Sequence, residues 1–261
     1  MNVGLIGGNG FLGSAFARYL EKQSIDYYVI GRDNYNDFVG RKFDIIINAN
    51  GNSKKFLATQ KPREEFLETV ASVQRSLLDF GFTTYVLCST VDVYNDLGNP
   101  ALNSEDARVD VSSISKYGLH KLLAEELVRN YSMSWLIFRF GGFVGPGLKK
   151  NSVYDLLNNV PLRVNVDSAY QYLPTDFAAS AVFKILSMGV ENQIFNLCGN
   201  GVVSLREVCS MVGWGDQVSY FDENPPLETY EVNIGKIKRI VEVPDSRHSV
   251  FDFVTLSRQV S

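Results

Sequence analysis

The sequence predicts an α/β protein: a doubly wound parallel sheet followed by a smaller C-terminal lobe. Three observations carry the prediction. Short β-rich runs alternate with longer helix-patterned segments through roughly the first 145 residues, the order expected of βαβ units. The runs hold few charges, as strands buried on both faces do. Beyond Phe143 the pattern changes, and Pro146, Gly147, Pro161, Pro174, Pro225 and Pro226 break the chain into shorter elements.

In chain order the expected strands are Val3–Ile6, Tyr27–Ile30, Asp44–Ala49, Thr84–Ser89 and Trp135–Phe140, each apolar and bounded by polar or turn residues. Between them Leu12–Lys22, Arg63–Phe80 and Ser115–Tyr131 space their apolar residues as one face of a helix requires. The 261 residues, 45% hydrophobic and 21% charged, have ordinary globular usage and length for one sizeable core with a small lobe.

The composition also excludes functions. A net charge of −4 offers no basic field for the phosphates of nucleic acid. No stretch approaches the roughly 18–20 apolar residues of a membrane span. Met1-Asn2 leads directly into the first apolar run, with no signal-peptide pattern ahead of it, so the expected location is cytoplasmic. Cys88, Cys198 and Cys209 contain no CxxC pair and read as thiols of a reducing compartment; no metal site is expected.

The first strand runs into Gly7-Gly8-Asn9-Gly10-Phe11-Leu12-Gly13, and an amphipathic helix follows at once. Strand, glycine turn and helix in that order let backbone N–H groups approach a pyrophosphate at the positive end of a helix. This makes Gly7, Asn9, Gly10, Phe11, Leu12 and Gly13 candidate dinucleotide-binding residues on a Rossmann-type sheet. The second strand ends Val29-Ile30-Gly31-Arg32-Asp33. An acid at this point would bond ribose hydroxyls, whereas a cation accommodates a 2′-phosphate. Arg32, a planar fork suited to phosphate, favours NADP(H), with NAD(H) the alternative through Asp33.

Farther on, Ser115-Lys116-Tyr117-Gly118-Leu119-His120-Lys121 opens a helix, and the four-residue step puts the Tyr117 phenol and Lys121 ammonium on one face. A nearby cation favours phenolate, which fits Tyr117 to move a proton. His120, between them, reads as a helix-surface histidine.

The Gly7, Gly10, Gly13 spacing together with Tyr117-x-x-x-Lys121 resembles the extended short-chain dehydrogenase/reductases, the sugar-nucleotide-modifying epimerase/dehydratase branch in particular. Cys88-Ser89-Thr90-Val91-Asp92-Val93-Tyr94 resembles that branch's S-[ST]-x-x-V-Y segment, which implies Thr90 as the catalytic hydroxyl with Ser89 as second candidate. Asn48, Ala49 and Asn50 resemble the loop passing under the cofactor riboses. Arg139-Phe140-Gly141-Gly142-Phe143-Val144-Gly145-Pro146-Gly147 is similar to its R-x-x-x-V-Y-G-P-G turn. Tyr172–Ala178 and Phe195–Gly199 are similar to its later segments. There are departures: Val91 replaces the first acid of the 4,6-dehydratase pair, leaving Asp92 alone, and Phe66-Leu67-Glu68-Thr69-Val70 lacks the usual helix asparagine.

The resemblance implies a dinucleotide-binding domain over 1–147 and a trimmed mixed α/β substrate lobe over 148–261, with segments near 165–200 able to rejoin the main sheet. It implies reduction of a 4-keto-6-deoxyhexose nucleotide, with Lys121 also holding the cofactor ribose. Asp92, Gly142, Lys149 and Arg163 are candidate substrate contacts, and a homodimer is suggested. A 4-epimerase using the same groups is the first alternative, and a non-catalytic dinucleotide sensor the second.

Overall fold

Five strands lie where the apolar runs place them, four of them starting a residue or more earlier and β3 stopping one residue short of Ala49: β1 (Asn2–Ile6), β2 (Asp26–Ile30), β3 (Lys42–Asn48), β4 (Gly81–Thr90) and β5 (Trp135–Phe140). They pair in parallel, and a sixth strand, β9 (Gln193–Leu197), joins beside β5 to give the order β2-β1-β3-β4-β5-β9. The chain leaves β1 for β2 and returns past β1 to β3, so the switch point lies between β1 and β3, where α/β sheets open a crevice at their carboxyl ends. One expectation is corrected: β2 alternates exposed and covered residues instead of being buried on both faces, because it is the edge of the sheet.

A computed structural model describes residues 1–51, 55–214 and 218–259. The chain divides into two units: Met1–Asn95, Glu105–Phe140 and Ala179–Asn196 form the first, and Asp96–Ser104, Gly141–Ala178 and Leu197–Ser261 the second.

In the first unit, α1 (Phe11–Lys22) follows the glycine turn and buries Ala15, Phe16 and Leu20. The single helix expected over Arg63–Phe80 is in three parts: α3 (Pro62–Phe66), a π-helical turn (Leu67–Ala71) and α4 (Ser72–Asp79), preceded by a short α2 (Leu57–Gln60). A π-turn inserts about one residue into the helical repeat, which a periodicity argument does not detect. Next, α5 (Lys116–Tyr131) is capped by Ser115, whose Oγ accepts from the Gly118 N–H at 3.0 Å. Ile6, Ile30, Ile46, Leu77, Tyr85, Leu87, Val128 and Ile137 are among the buried side chains that join the sheet to these helices.

The second unit holds β6 (Gly142–Val144), paired in parallel with β8 (Tyr172–Pro174). A three-stranded sheet there has β7 (Ala169–Tyr170) between β10 (Val203–Ser204) and β11 (Thr229–Tyr230). Among its helices, α6 (Ser152–Leu157), α8 (Leu205–Met211) and α10 (Ser246–Gln259) share a core of Val153, Leu156, Leu162, Val208, Val250 and Val254. Helix α7 (Thr175–Ser187) leads back to β9, and α9 (Gly235–Lys238) precedes α10. All three cysteines are buried and free. Among the described residues no helix is long and apolar enough to cross a membrane.

Candidate active site

The glycine turn sits at the switch point, and its glycines are required sterically. Gly7 has φ +76°, and a Cβ there would press on the Asn50 backbone at 2.9 Å. A Cβ on Gly13 would drive into the Gly7 carbonyl oxygen and press on the Gly8 Cα at 2.9 Å. Gly10 N–H donates to the Gly7 carbonyl at 2.9 Å and closes the turn. Gly10 is also the N-cap of α1, no side chain caps that helix, and its first turn carries no acid. A bare, uncapped helix start beside glycines that cannot accept a Cβ fits a dinucleotide pyrophosphate. Asn9 lies in the same turn, and Phe11 and Leu12 open α1.

Asn48 faces inward. Its amide donates to the Tyr85 hydroxyl at 2.7 Å and its Oδ1 accepts from the Asn50 N–H at 3.0 Å, while Ala49 N–H donates to the Ile6 carbonyl. Asn48 therefore shapes the Ala49–Asn50–Gly51 loop from below. A Cβ on Gly51 would meet Lys121 Nζ at 3.0 Å, so this loop borders Lys121. Arg32 ends the β2 turn with its side chain 90% exposed and 3.9 Å from Glu68. Asn34 ties that turn, accepting from Gly31 N–H at 2.7 Å and donating to the Val29 carbonyl.

Tyr117 and Lys121 are both buried on one face of α5. Burial, then the Asp92 and Glu65 carboxylates, hold the Tyr117 pKa far above that of an ordinary phenol. Burial lowers that of Lys121, against Cys88, Glu65, Glu125 and Asp92, which favour its charge. Lys121 Nζ donates to the Cys88 carbonyl at 3.4 Å. Thr90 ends β4, and its Oγ1 donates to Asp92 Oδ2 at 2.7 Å and accepts from the Asp92 N–H. Lys55 approaches the other oxygen of Asp92 at 2.6 Å, so Asp92 is a buried, doubly held carboxylate beside the candidate hydroxyl. Gly118 lets α5 seat against that turn: a Cβ there would collide with the Asp92 carbonyl.

Ser89 points away from this group. Its hydroxyl donates to Glu125, which also accepts a forked pair from Arg139, with Nη2 at 2.6 Å. Arg139 continues to the Tyr94 hydroxyl at 2.9 Å, and Tyr94 donates to Asn196 at 2.7 Å. Ser89 thus belongs to a buried ionic network beneath the site. The surface reading of His120 is corrected: its side chain is only 12% exposed and Nδ1 meets the buried Glu65 carboxylate, because α3 covers that side of α5.

The remaining substrate candidates lie in the second unit. Gly142, in β6, leaves room for the Tyr172 ring, which a Cβ would meet at 2.8 Å. Lys149 is exposed. Arg163 is exposed too, with its guanidinium 4.0 Å over the Phe221 ring.

Sequence reasoning missed Lys55, Glu65 and Glu125. Glu125 had a signal, since it lies one further four-residue step beyond Tyr117 and Lys121 on α5. Glu65 had a weaker one, standing four residues before the buried Thr69. Lys55 reaches Asp92 from a loop and had none.

A class of protein now follows from the sheet, the turn and the Tyr117–Lys121 face: a dinucleotide-binding enzyme with a buried phenol and ammonium. Residues 3–198 match the model of the NAD dependent epimerase/dehydratase family, and the chain belongs to that family of NAD-dependent enzymes. No curated protein matches the sequence. The fold is similar to that of MoeE5 in complex with UDP-glucose and NAD, at 16% identity and TM-score 0.84 over 100% of this chain and 99% of that one. It is similar to a UDP-galactose 4-epimerase, at 18% identity and TM-score 0.80 over 100% of both chains. A dTDP-4-dehydrorhamnose reductase, an RfbD ortholog from Clostridium acetobutylicum, gives 16% identity and TM-score 0.80 over 99% of this chain and 100% of that one.

Proposed function

We propose that this chain reduces the keto group of a sugar nucleotide, in its most specific form a 4-keto-6-deoxyhexose nucleotide, with NADP(H) preferred over NAD(H). The observation that carries the reading is the state of Tyr117. Burial, then the Asp92 and Glu65 carboxylates, raise the pKa of this phenol and favour its protonated form, the form that can donate a proton. A reduction needs that acid, since the carbonyl oxygen gains negative charge and must be protonated. A bound nicotinamide would supply the hydride.

Lys121 lies on the Tyr117 face, and its charge would favour the phenolate left behind after proton donation. Thr90 now spends its hydroxyl proton on Asp92; it would turn that proton to a substrate carbonyl when one arrives. Gly7, Gly10 and Gly13 would carry the pyrophosphate on the start of α1. Arg32, exposed at the end of the β2 turn, would take a 2′-phosphate, and Asp33 a ribose hydroxyl if NAD(H) binds instead. The fold shared with a protein in complex with UDP-glucose and with enzymes named for UDP-galactose and dTDP-4-dehydrorhamnose supports a sugar-nucleotide substrate.

The test follows absorbance at the reduced-nicotinamide band with NADPH or NADH and a panel of 4-keto-6-deoxy sugar nucleotides. Oxidation that requires the sugar nucleotide, and that Tyr117→Phe abolishes, is expected. Arg32→Ala should weaken NADPH use about tenfold, the worth of one charge-assisted hydrogen bond, with NADH use little changed. Interconversion of sugar epimers without net oxidation would replace the reductase by a 4-epimerase. Activity unaffected by Tyr117→Phe would leave a dinucleotide sensor.

A further inference from the structure

Asp92 is a buried carboxylate in the turn after β4, and both of its oxygens are engaged. Oδ2 accepts the proton of the Thr90 hydroxyl at 2.7 Å, and Oδ1 lies 2.6 Å from Nζ of Lys55. The Asp92 N–H donates in turn to Thr90 Oγ1 at 3.2 Å, so the carboxylate and the hydroxyl are held to each other twice. The Asp92 main chain is braced as well, because α5 rests on its carbonyl at Gly118. Lys55 is anchored at its own main chain: its carbonyl accepts from the N–H of the buried Ala58 at 3.1 Å, in the turn that opens α2. Its side chain is half exposed, yet the ammonium turns to a buried carboxylate. The consequence falls on Thr90.

We propose that Lys55 is a positioning residue that sets how tightly Asp92 holds the Thr90 proton, and thereby how readily Thr90 turns that proton to a substrate carbonyl. It rests on the reading of Thr90 as the hydroxyl that meets the substrate. A hydrogen bond to a carboxylate with its full charge is roughly twice as strong as one between neutral groups. An ammonium at 2.6 Å draws that charge towards Oδ1 and loosens the hold of Oδ2 on Thr90. Without Lys55 the carboxylate keeps its whole charge for the Thr90 proton, and the substrate oxygen must compete against it. The loss falls mainly on the transition state, where the carbonyl oxygen carries most charge and gains most from a donor.

Two measurements test this, and the first needs no turnover. Urea unfolding of Lys55→Ala, Thr90→Val and the double variant measures the coupling of two residues joined through Asp92. Either single variant leaves the buried carboxylate one of these two partners, whereas the double variant takes both. The double variant should therefore shift the unfolding equilibrium at least about fivefold beyond the product of the single shifts. Where it fails to fold, Lys55→Met replaces Lys55→Ala and keeps the length of the stem. The second measurement is turnover with NADPH and a 4-keto-6-deoxy sugar nucleotide. Lys55→Ala should lower kcat about fivefold with KM within about twofold, and Lys55→Arg, which restores the cation, should recover most of the loss. Single shifts that simply multiply, an unchanged kcat in Lys55→Ala, or a Lys55→Arg variant as slow as Lys55→Ala overturns the proposal. Absence of turnover in the parent protein would count against the reductase reading alone, because the unfolding cycle still decides the coupling.

Discussion

Glu125 and Glu126 are neighbours on α5, and each is bonded to an arginine at 2.6 Å, yet truncating them should have very different effects. Glu126 is 55% exposed and pairs with Arg129, and water screens that pair. Its truncation to alanine should change stability by no more than about 1 kcal/mol. Glu125 is buried and pairs with Arg139, which is 4% exposed. Burial works against the Arg139 charge, and Glu125, followed by Tyr94, raises its pKa in spite of it. Glu125→Ala takes the charged partner from that buried guanidinium and the acceptor from Ser89. Breaking a buried pair costs about 3–5 kcal/mol. An orphaned hydroxyl adds about 1–3 kcal/mol, less whatever relaxation recovers. An expected loss of about 4 kcal/mol lowers the thermal midpoint by roughly 8–16 °C at this chain length. Urea unfolding followed by far-ultraviolet circular dichroism, run on both variants, measures the difference. A Glu125→Ala loss below about 1 kcal/mol, or a Glu126→Ala loss equal to it, would refute the argument from burial.

Gly13→Ala should abolish dinucleotide binding in a fluorescence titration and destabilise the first unit by about 1–3 kcal/mol, because the methyl meets backbone that has no side chain to move aside. Burial pushes both Tyr85 and Tyr94 up to about 12, against ordinary values of 10.0. The unfolded phenols ionise first, so the stability these groups contribute is full below pH 10 and is lost as pH rises from about 10 to 12. Unfolding measured across that window should show Tyr85→Phe losing stability less steeply than the parent, by up to about 1.4 kcal/mol per pH unit.

The sheet, the glycine turn and the placement of Tyr117 and Lys121 on one helical face were legible because each is written locally. A buried strand must be apolar over consecutive residues, a phosphate turn needs glycine where a Cβ would collide, and two groups on one helical face stand four residues apart. Tyr117, Lys121, Gly7 and Gly13 all announce themselves in this way. What holds them could not be read so easily. Glu65 meets His120 across 55 positions and Lys55 meets Asp92 across 37, and no short pattern encodes a contact of that span. The same limit hid the true surroundings of His120, whose neighbours in sequence are those of a surface helix while its cover comes from α3. The π-turn at Leu67–Ala71 was invisible for another reason, since one added residue blurs a helical stripe without erasing it.

Gly118 has a practical meaning for anyone who would redesign this protein. Because α5 rests backbone to backbone on the turn after β4, the depth of the phenol relative to the Thr90 hydroxyl is a mechanical stop, set by two main chains in contact. Side chains around the stop can be exchanged to admit a different substrate without retuning that depth. A single methyl at position 118 would act as a shim, tilting the whole helix and moving Tyr117 and Lys121 together. Libraries that diversify the rim of the site should therefore leave this one glycine alone.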